Sequence, residues 1–405
     1  MLAESLEVII RQQDEIIPCT IGDLEHLLNR GDIEVLTGSG YSKLIRLKKC
    51  LQDHYIEVLL ENGIRIRGSD SLAVETLEGP VSIGNLRRGD MLLLKIPHMT
   101  GDFKALNLLM VIDKIPPWLT RYLYVDGLSS TLDKALKVMN WRSIALLLGM
   151  RISRTTYEWL TSGYLPLAMF KGLLSELGVE VDSLEELTLK LRRGRTQIPL
   201  LIKPDDDYMR LISYYVNCGA YSELQLDKGK LTFIVHDRES LDRIIDTMDS
   251  LRVSHRIVRM PKGRFRVKLN NKTLYILFRW ILRIPLVPTR RRILHPPLSS
   301  LSERALARIM NQILEVNGLV TSRIGSEQVF EVRAKGMALD IMRLKWYEGI
   351  KTRLSKLDGR MILNILPEKE DFLLTVENVR VVKDKSILLY ELLVDSSEGV
   401  LAVDI

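Results

Sequence analysis

Two apolar segments of similar pattern constrain the fold of this chain more than any other feature. The first, residues 208–221, reads YMRLISYYVNCGAY, and the second, residues 305–320, reads ALARIMNQILEVNGLV. Both place apolar residues at helical spacing. Each closes with a glycine, Gly219 or Gly318, where we expect a left-handed helix stop. Because β-like sequence follows both helices, the pattern predicts an internal duplication, although two ordinary core helices would give the same pattern.

The bulk composition favours a basic protein of two or three domains. The chain has 405 residues and a net charge of +7, which favours an acidic partner, nucleic acid first. The three cysteines, Cys19, Cys50 and Cys218, show no paired spacing and indicate neither a disulfide framework nor a zinc site. The N-terminus lacks a cleavable apolar segment, and two arginines interrupt the longest apolar run, residues 274–287. We therefore expect a soluble cytoplasmic protein without a membrane span.

The two ends of the chain are rich in β-like sequence. Residues 1–97 are expected to form a short N-terminal helix and then an all-β block, with strands at 32–37, 54–60 and 91–96 between turn signals. Residues 377–405 alternate again, in VRVVKDKSILLYELLV, and are expected to form the last strands.

A helical connector is expected over residues 98–200. Its segment IALLLGMRISRTTYEWL predicts a helix-turn-helix, with Gly149 at the turn and a recognition helix over 154–160. Docked in a major groove, Arg151 and Arg154 would reach phosphates or base edges. A plain helical packing unit would show the same pattern, and this one lacks a dense basic face.

The central residues 201–357 follow the order αββαββα. In the first half, about 201–288, the expected elements are the first apolar helix, strands at 222–227 and 231–235, a helix from 239, strands at 253–259 and 264–269, and a helix at 272–282. The second half, about 300–357 with an extension to 376, repeats the scheme less fully. There we expect strands at 319–324 and 328–333 and a helix over 337–356.

A basic stretch without any acidic residue crosses the first half and the linker after it. Residues 251–295 contain no Asp or Glu, and within 264–269 cations alternate with apolar residues, which places the cations on one face of a strand. A solvated face normally mixes charges, so the pattern predicts phosphate contacts and salt-dependent binding. The predicted contact residues are Arg252, Arg256, Arg259, Lys262, Arg264, Arg266, Lys268 and Lys272, followed by Arg290, Arg291 and Arg292 in the linker.

The two apolar segments, their order and the flanking β blocks resemble the paired LAGLIDADG (DOD-type) helices of homing endonucleases embedded in archaeal inteins. The lead-in, residues 187–221, is close to the family's pattern, and both ends of the chain resemble the splicing (Hint) module. The resemblance implies an α+β chain with a split all-β Hint-like module, a helix-turn-helix-like connector and a pseudo-two-fold LAGLIDADG saddle on duplex DNA. It also implies a monomer whose central helices meet at Ser213, Gly219, Gln312 and Gly318.

The residues that carry chemistry in the resembled family are replaced in this chain. Family helices each end in an acid, and the two acids hold a divalent metal that activates water. The aligned positions here are Cys218 and Asn317, a thiol and an amide, neither of which suits magnesium. The splicing positions align to Arg67 and Asp70, and the family's junction residues are missing at both ends. The resemblance therefore implies double-stranded DNA binding with cleavage and splicing both lost, and no metal or cofactor.

Three other functions stay open at this point. The chain could be an active magnesium-dependent homing endonuclease with displaced acids such as Glu223 or Glu315. It could be an RNA-binding, maturase-like factor, because a saddle can serve RNA without the acids. It could also be a non-catalytic scaffold whose charge only solubilises it.

Overall fold

The computed structural model describes the chain except residues 13–14, 38–39, 94–104, 113–114, 121, 177–183, 193, 222–229, 286, 296, 317–319, 325–326, 333, 358–359, 366–372, 396–401 and 404–405. Two compact units are present. Unit 1 comprises Met1–Asp102 with Val287–Ile405, and unit 2 comprises Phe103–Leu286. The protein is of the mixed α+β class, and the strand pairs in its described part are antiparallel.

The N-terminal part of unit 1 is almost entirely β-structure. Its one described α-helix is α1 (Leu24–Leu28). Its strands are β1 (Leu2–Ala3), β2 (Glu7–Gln12), β3 (Glu15–Thr20), β4 (Glu34–Thr37), β5 (Gly40–Leu60), β6 (Arg65–Gly68), β7 (Ala73–Thr76), β8 (Gly79–Ser82) and β9 (Met91–Leu93).

Unit 2 alternates short sheets with helices. Its strands are β10 (Leu106–Asn107), β11 (Leu123–Asp126), β12 (Tyr164–Pro166), β13 (Thr188–Leu191), β14 (Gln197–Pro199), β15 (Leu201–Ile202), β16 (Gly219–Tyr221), β17 (Lys230–Val235), β18 (Arg256–Arg259) and β19 (Phe265–Asn270). Its helices are α2 (Leu109–Ile112), α3 (Pro117–Thr120), α4 (Ser129–Val138), α5 (Trp141–Leu147), α6 (Arg154–Thr161), α7 (Leu167–Glu176), α8 (Asp207–Cys218), α9 (Arg238–Ser250) and α10 (Lys272–Ile276), which continues as a π-helical turn at Leu277–Ile281.

Unit 1 resumes with the linker and the second half of the predicted duplication. The helices here are α11 (Glu303–Glu315) and α12 (Lys335–Tyr347). The strands are β20 (Val320–Ile324), β21 (Glu327–Val332), β22 (Thr352–Leu357), β23 (Arg360–Ile365), β24 (Leu373–Val394) and β25 (Ala402–Val403).

The expected N-terminal helix is wrong, because the first residues form strands. Residues of β2 pair with β3 from Glu7↔Thr20 to Gln12↔Glu15, and with β4 on the other side. Val8 and Ile10 are completely buried in the core of this sheet. A run of β-branched side chains suits a pleated, buried surface better than a helix, and here tertiary packing uses it in that way.

The two ends of the chain pair with each other in unit 1. Strands β5 and β24 form a long antiparallel ribbon that runs from Leu60↔Val376 to Leu44↔Val394, with three irregularities in register. The short β1 lies between β6 and β24, with Leu2 opposite both Gly68 and Tyr390. The N-terminal and C-terminal β segments therefore share one sheet, which the sequence alone left undecided.

Two four-stranded sheets have the same topology, one in each unit. The order is β16-β17-β19-β18 in unit 2 and β20-β21-β23-β22 in unit 1. Each is preceded by an apolar helix, α8 or α11, and each contains a second helix, α9 or α12, between its second and third strands in the chain. The predicted duplication is confirmed at the level of element order and strand pairing.

The second half departs from the prediction at its second helix. The helix predicted over 337–356 ends at Tyr347, and β22 begins at Thr352. Gly349 has a φ of 76°, and the backbone N–H of Ile350 donates to Lys345 O at 2.9 Å. A glycine in the left-handed region ends the helix and lets the alternating residues after it form a strand.

The connector in unit 2 combines a small sheet with three helices. Strands pair in the order β12-β11-β13-β14, and α4, α5 and α6 lie between β11 and β12 in sequence. The predicted recognition helix is α6, capped by the Ser153 hydroxyl, and Gly149 before it has a φ of 64°. The helix prediction for this segment is confirmed, and whether it contacts nucleic acid stays a prediction.

Gly219 is required by packing and not by a left-handed conformation. Its φ of −70° and ψ of 155° are extended, so the expected left-handed helix stop is wrong. A Cβ atom there would lie 2.5 Å from the carbonyl oxygen of Tyr215 and 2.3 Å from its ring. The expected stop at Gly318 and the expected strand at 222–227 fall outside the described residues.

Candidate nucleic-acid interface

One face of the β16-β17-β19-β18 sheet in unit 2 is apolar and the other is open to solvent. Val267 and Leu269 of β19 are buried, together with Leu231, Phe233 and Val235 of β17. The register pairs Thr232 with Lys268 and Lys268 with Arg256, so these three side chains form one row on the opposite face. The predicted alternation of cations and apolar residues along β19 is confirmed by this burial pattern.

The solvent face of this sheet carries cations without acidic partners. Arg256, Lys268 and Lys230 are exposed, and Arg266 is partly exposed in a row between Ile234 and Val258. Within the part of unit 2 that the structure describes, none of these four cations forms an ion pair or side-chain hydrogen bond. The strands β17, β18 and β19 contain no Asp or Glu. Uncompensated cations on a flat β surface can take phosphate oxygens as their partners.

Arg264 extends this face at the start of β19. By strand alternation its side chain lies on the same side as Arg266 and Lys268. Its Nε atom is shielded from solvent and has no hydrogen-bond partner among the described residues. A shielded, unsatisfied guanidinium donor is unfavourable until an acceptor reaches it, which suits an anionic partner.

The remaining predicted cations of unit 2 surround the sheet but do not share its solvent face. Arg259 pairs with Phe265, so the register places it on the helix side, at the end of the strand. Arg252 and Lys262 are exposed in turns and have φ values of 52° and 62°. Lys272 is exposed at the start of α10. The predicted cations of this hairpin therefore lie partly on the solvent face of the sheet and partly around its edges, which we call the rim.

Two of the three linker arginines in unit 1 are turned inward, so the prediction of surface contacts for them is wrong. Arg291 is 1% exposed. The guanidinium of Arg292 donates to both carboxylate oxygens of Glu7, at 2.7 and 2.9 Å, and to Asp340 Oδ1 at 2.5 Å. These contacts occupy Arg292 inside unit 1, whereas Arg290 is exposed.

The buried acid partners of Arg292 form a network with Arg343. Asp340 is completely buried, and its Oδ2 accepts the backbone N–H groups of Ile293 and Leu294 at 2.9 and 3.0 Å. Arg343 Nη1 donates to Glu7 Oε1 at 2.5 Å. Burial alone would raise the pKa of Glu7, but the hydrogen bond from Arg292 and the charges of both arginines hold it below its usual value.

In the helix-turn-helix-like segment, both predicted contact residues are exposed. Arg151 lies in the turn before α6. Arg154 is 91% exposed and its Nε lies 3.0 Å from Glu158 Oε1, one helical turn away. An exposed pair of this kind is weak and can open for another anion.

Cys218, which aligns with a metal-binding acid of the LAGLIDADG endonucleases, does not provide a magnesium ligand. Cys218 is buried at the end of α8, and its thiol donates to Tyr214 O at 3.1 Å. Magnesium takes oxygen ligands, which this thiol does not supply. Asn317 and Gly318 lie outside the described residues, while the helix positions Ser213 and Gln312 are both buried.

Arg67 and Asp70, which align with the splicing residues of the Hint module, both make side-chain contacts. Arg67 Nε donates to the buried carboxylate of Glu57 at 2.6 Å and its Nη1 donates to Ser5 Oγ at 3.2 Å. Asp70 lies 3.2 Å from His54 Nε2, and Asp53 lies 2.6 Å from His54 Nδ1. The hydrogen bonds with Asp53 and then Asp70 raise the pKa of His54 and favour the imidazolium.

Sequence reasoning missed three residues of these sites. Lys230 and Asn270 pair with each other on the solvent face, and His54 lies beside Asp70. In both the Lys230–Asn270 pair and the His54–Asp70 contact, the strand register of a hairpin brings the two residues together. The turn after Leu60 pairs Ile56 with Gly68, and the same register continued by two residues places His54 opposite Asp70.

No protein-family model matches the chain, and no curated protein sequence matches it. Solved structures give partial likenesses. Full-length DUF199/WhiA from Thermatoga maritima is 12% identical with a TM-score of 0.30 over 41% of this chain. The I-DmoI structure in complex with DNA and Mn is 15% identical with a TM-score of 0.27, covering 40% of this chain and 89% of that one. The transcription factor IIB Mvu mini-intein is 19% identical with a TM-score of 0.21, covering 23% of this chain and 67% of the mini-intein.

The chain spans 51% of the length of the WhiA structure. The similar structures thus include LAGLIDADG proteins and inteins, at low TM-scores and over part of the chain, and they do not assign its function. Among the described helices, none has the length and apolar character needed to cross a membrane.

Proposed function

We propose that this chain binds double-stranded nucleic acid, DNA first, through the solvent face of the β16-β17-β19-β18 sheet. The observation that carries the proposal is a set of four cations on that face, Arg256, Arg266, Lys268 and Lys230, which have no ion-pair partner among the residues that the structure describes. Arg264 and the rim residues Arg252, Arg259, Lys262 and Lys272 add positive potential around it. The exposed Arg290 in the linker, Arg151 in the turn before α6 and Arg154 in α6 are proposed as further contacts.

The electrostatic argument gives the expected strength of the salt dependence. Each phosphate neutralised on duplex DNA contributes about −0.9 to the slope of log K against log salt. Four contacts therefore predict a slope of about −3.6, and contacts at the rim would steepen it. Sequence preference is not implied, because phosphate contacts position a protein without reading bases.

The test is a titration of the full chain with a random 24-base-pair duplex across a salt series. We expect the double variant Arg266→Ala/Lys268→Ala to flatten the slope by about 1.8. The matched control is Arg238→Ala/Arg243→Ala, which removes the same charge from α9. Those arginines already pair with Asp242 and Glu239.

The control variant should leave the slope unchanged. Equal flattening by both double variants would mean that net charge, and not this face, carries binding. Absence of salt-dependent binding by the wild type would refute the proposal and favour the alternative that the chain is a non-catalytic scaffold. Preferential competition by structured RNA would reassign the face to RNA.

We further propose that the four-part division 1–97, 98–200, 201–357 and 377–405 reflects an intein-like ancestry, and that cleavage and splicing are lost. The buried thiol of Cys218 and the contacts that hold Arg67 and Asp70 support the loss. Nicking of supercoiled plasmid by the purified chain with magnesium would overturn it. In that case, acids such as Glu315, which is exposed at the end of α11, become the candidates.

A further inference from the structure

The register of the two duplicated sheets defines equivalent positions in the two halves. Val267 is the buried central residue of the first sheet, paired with Phe233 and Ile257, and Leu363 holds that place in the second, paired with Phe330 and Leu354. Counting along each strand from these residues aligns the rows of solvent-face side chains in the two sheets. The equivalent pairs are Arg266 with Ile362, Lys268 with Asn364, Arg256 with Arg353, Thr232 with Val329, and Ile234 with Glu331.

The two aligned rows of the second sheet carry less positive charge than those of the first. The positions of Arg266 and Lys268 are occupied by Ile362 and Asn364. The one cation retained in the aligned rows, Arg353, lies 3.7 Å from the carboxylate of Glu377 in the same unit. These rows also contain Glu331, so they carry no net charge, whereas the aligned rows of the first sheet carry three cations.

Burial also differs at the centre of the two faces. Val329 lies on the same face as Asn364 and is only 6% exposed. The side-chain oxygen of Asn364 is shielded from solvent and has no hydrogen-bond partner among the described residues. Its equivalent in the first sheet, Lys268, is exposed. A duplex backbone needs an open surface, which the centre of the second face does not provide.

The second half is instead tied into the body of unit 1. Its helix α12 supplies Asp340 and Arg343, which join Glu7 of β2 and Arg292 of the linker in the buried network described above. The backbone N–H of Leu354 on β22 donates to Asn62 O at 2.8 Å, in the turn between β5 and β6. These contacts connect the second sheet and its helix to the sheet that the chain ends build.

We infer that nucleic acid contacts only the first of the two duplicated sheets, and that the second is a scaffold for the terminal β-sheet. The inference rests on the proposed function and specifies its partner surface. A strand of six residues is about 20 Å long, which spans about six base pairs at 3.4 Å per pair. The sheet contact is therefore short and one-sided, with the equivalent face of the second half left out of the complex.

Equivalent arginines in the two halves allow a matched test with the full chain and the same 24-base-pair duplex. Arg256→Ala should flatten the salt slope by about 0.9, and Arg353→Ala should leave it unchanged. Both arginines are exposed, so neither substitution should disturb folding. A duplex with photoreactive 5-bromouracil should crosslink to peptides covering 253–270 and not to peptides covering 352–365.

The outcomes separate the two proposals. Equal flattening by Arg256→Ala and Arg353→Ala, or crosslinks in 352–365, would overturn the one-sided contact while leaving nucleic-acid binding intact. A wild-type chain that neither binds nor crosslinks would instead refute the proposed function itself. Flattening confined to Arg256→Ala, with crosslinks confined to the first sheet, would support both.

Discussion

The substitution Asp340→Asn tests most directly how much the buried network in unit 1 contributes to stability. Glu7, Asp340, Arg292 and Arg343 balance in charge, and Asp340 is completely buried. The amide keeps the size of the side chain but leaves one guanidinium charge uncompensated. Breaking a buried ion pair by removing one partner costs about 3–5 kcal/mol. We expect a loss of stability of that size for unit 1.

Hydrogen exchange of the full chain measures this loss locally. Peptides from α12 and β2 should exchange about two to three and a half orders of magnitude faster in Asp340→Asn, since about 1.4 kcal/mol corresponds to a factor of ten. Asp32→Asn is the matched control in the same unit. Asp32 pairs with Lys43 at 3.2 Å, but both side chains are more than half exposed. A surface pair contributes about 0–1 kcal/mol, so the control should exchange nearly as the wild type does.

Equal protection in Asp340→Asn and Asp32→Asn would refute the reasoning, because the network would then contribute no more than a solvated pair. Acceleration confined to α12, with β2 unchanged, would refute the role of the network in joining the second half to the terminal sheet.

Three further predictions test single positions. Arg252→Gly should stabilise the chain relative to Arg252→Ala by about 1 kcal/mol in urea unfolding, because φ is 52° there and only glycine adopts this region without strain. Both variants should weaken DNA binding equally, since each removes the same charge. His54→Gln should abolish a pH-dependent part of the stability of unit 1. The hydrogen bonds with Asp53 and Asp70 raise the pKa of His54, so the wild-type advantage should be full below about pH 6.5 and be lost as pH rises through the raised pKa in unfolding titrations. Gly219→Ala should lower the melting temperature with a loss of about 1–3 kcal/mol, because its Cβ would overlap the Tyr215 carbonyl; an unchanged melting temperature would contradict this packing role.

The hydrophobic periodicity and the turn residues of the sequence correctly predicted most helices and strands of the two duplicated halves. The helices α8 and α11 and the strand β19 follow from apolar spacing, and the alternation along β19 places Arg266 and Lys268 on the solvent side. These features depend on local pattern. The N-terminal segment failed because its apolar run fits either a helix or a strand, and pairing with β3 and β4 decides between them.

Long-range contacts account for what the sequence could not show. Arg290, Arg291 and Arg292 are chemically alike in sequence. Tertiary packing separates the exposed Arg290 from Arg291, which is buried, and from Arg292, which binds Glu7 and Asp340. A run of cations predicts charge density but not direction, because a linker has no periodicity that fixes a face.

In the two aligned rows of the second sheet, lower charge occurs together with the burial of Val329 at their centre. An open face can hold unpaired cations because water solvates them, whereas a closed face must pair or remove them. Ile362 and Asn364 stand where Arg266 and Lys268 stand in the first half, and Arg353 keeps its charge next to Glu377. The same topology therefore presents cations in the solvent rows of unit 2, whereas the two aligned rows of unit 1 have no net charge and a buried residue, Val329, at their centre. The duplication preserves the strand order, and under the proposed function the side chains on the solvent rows would determine which half contacts a polyanion.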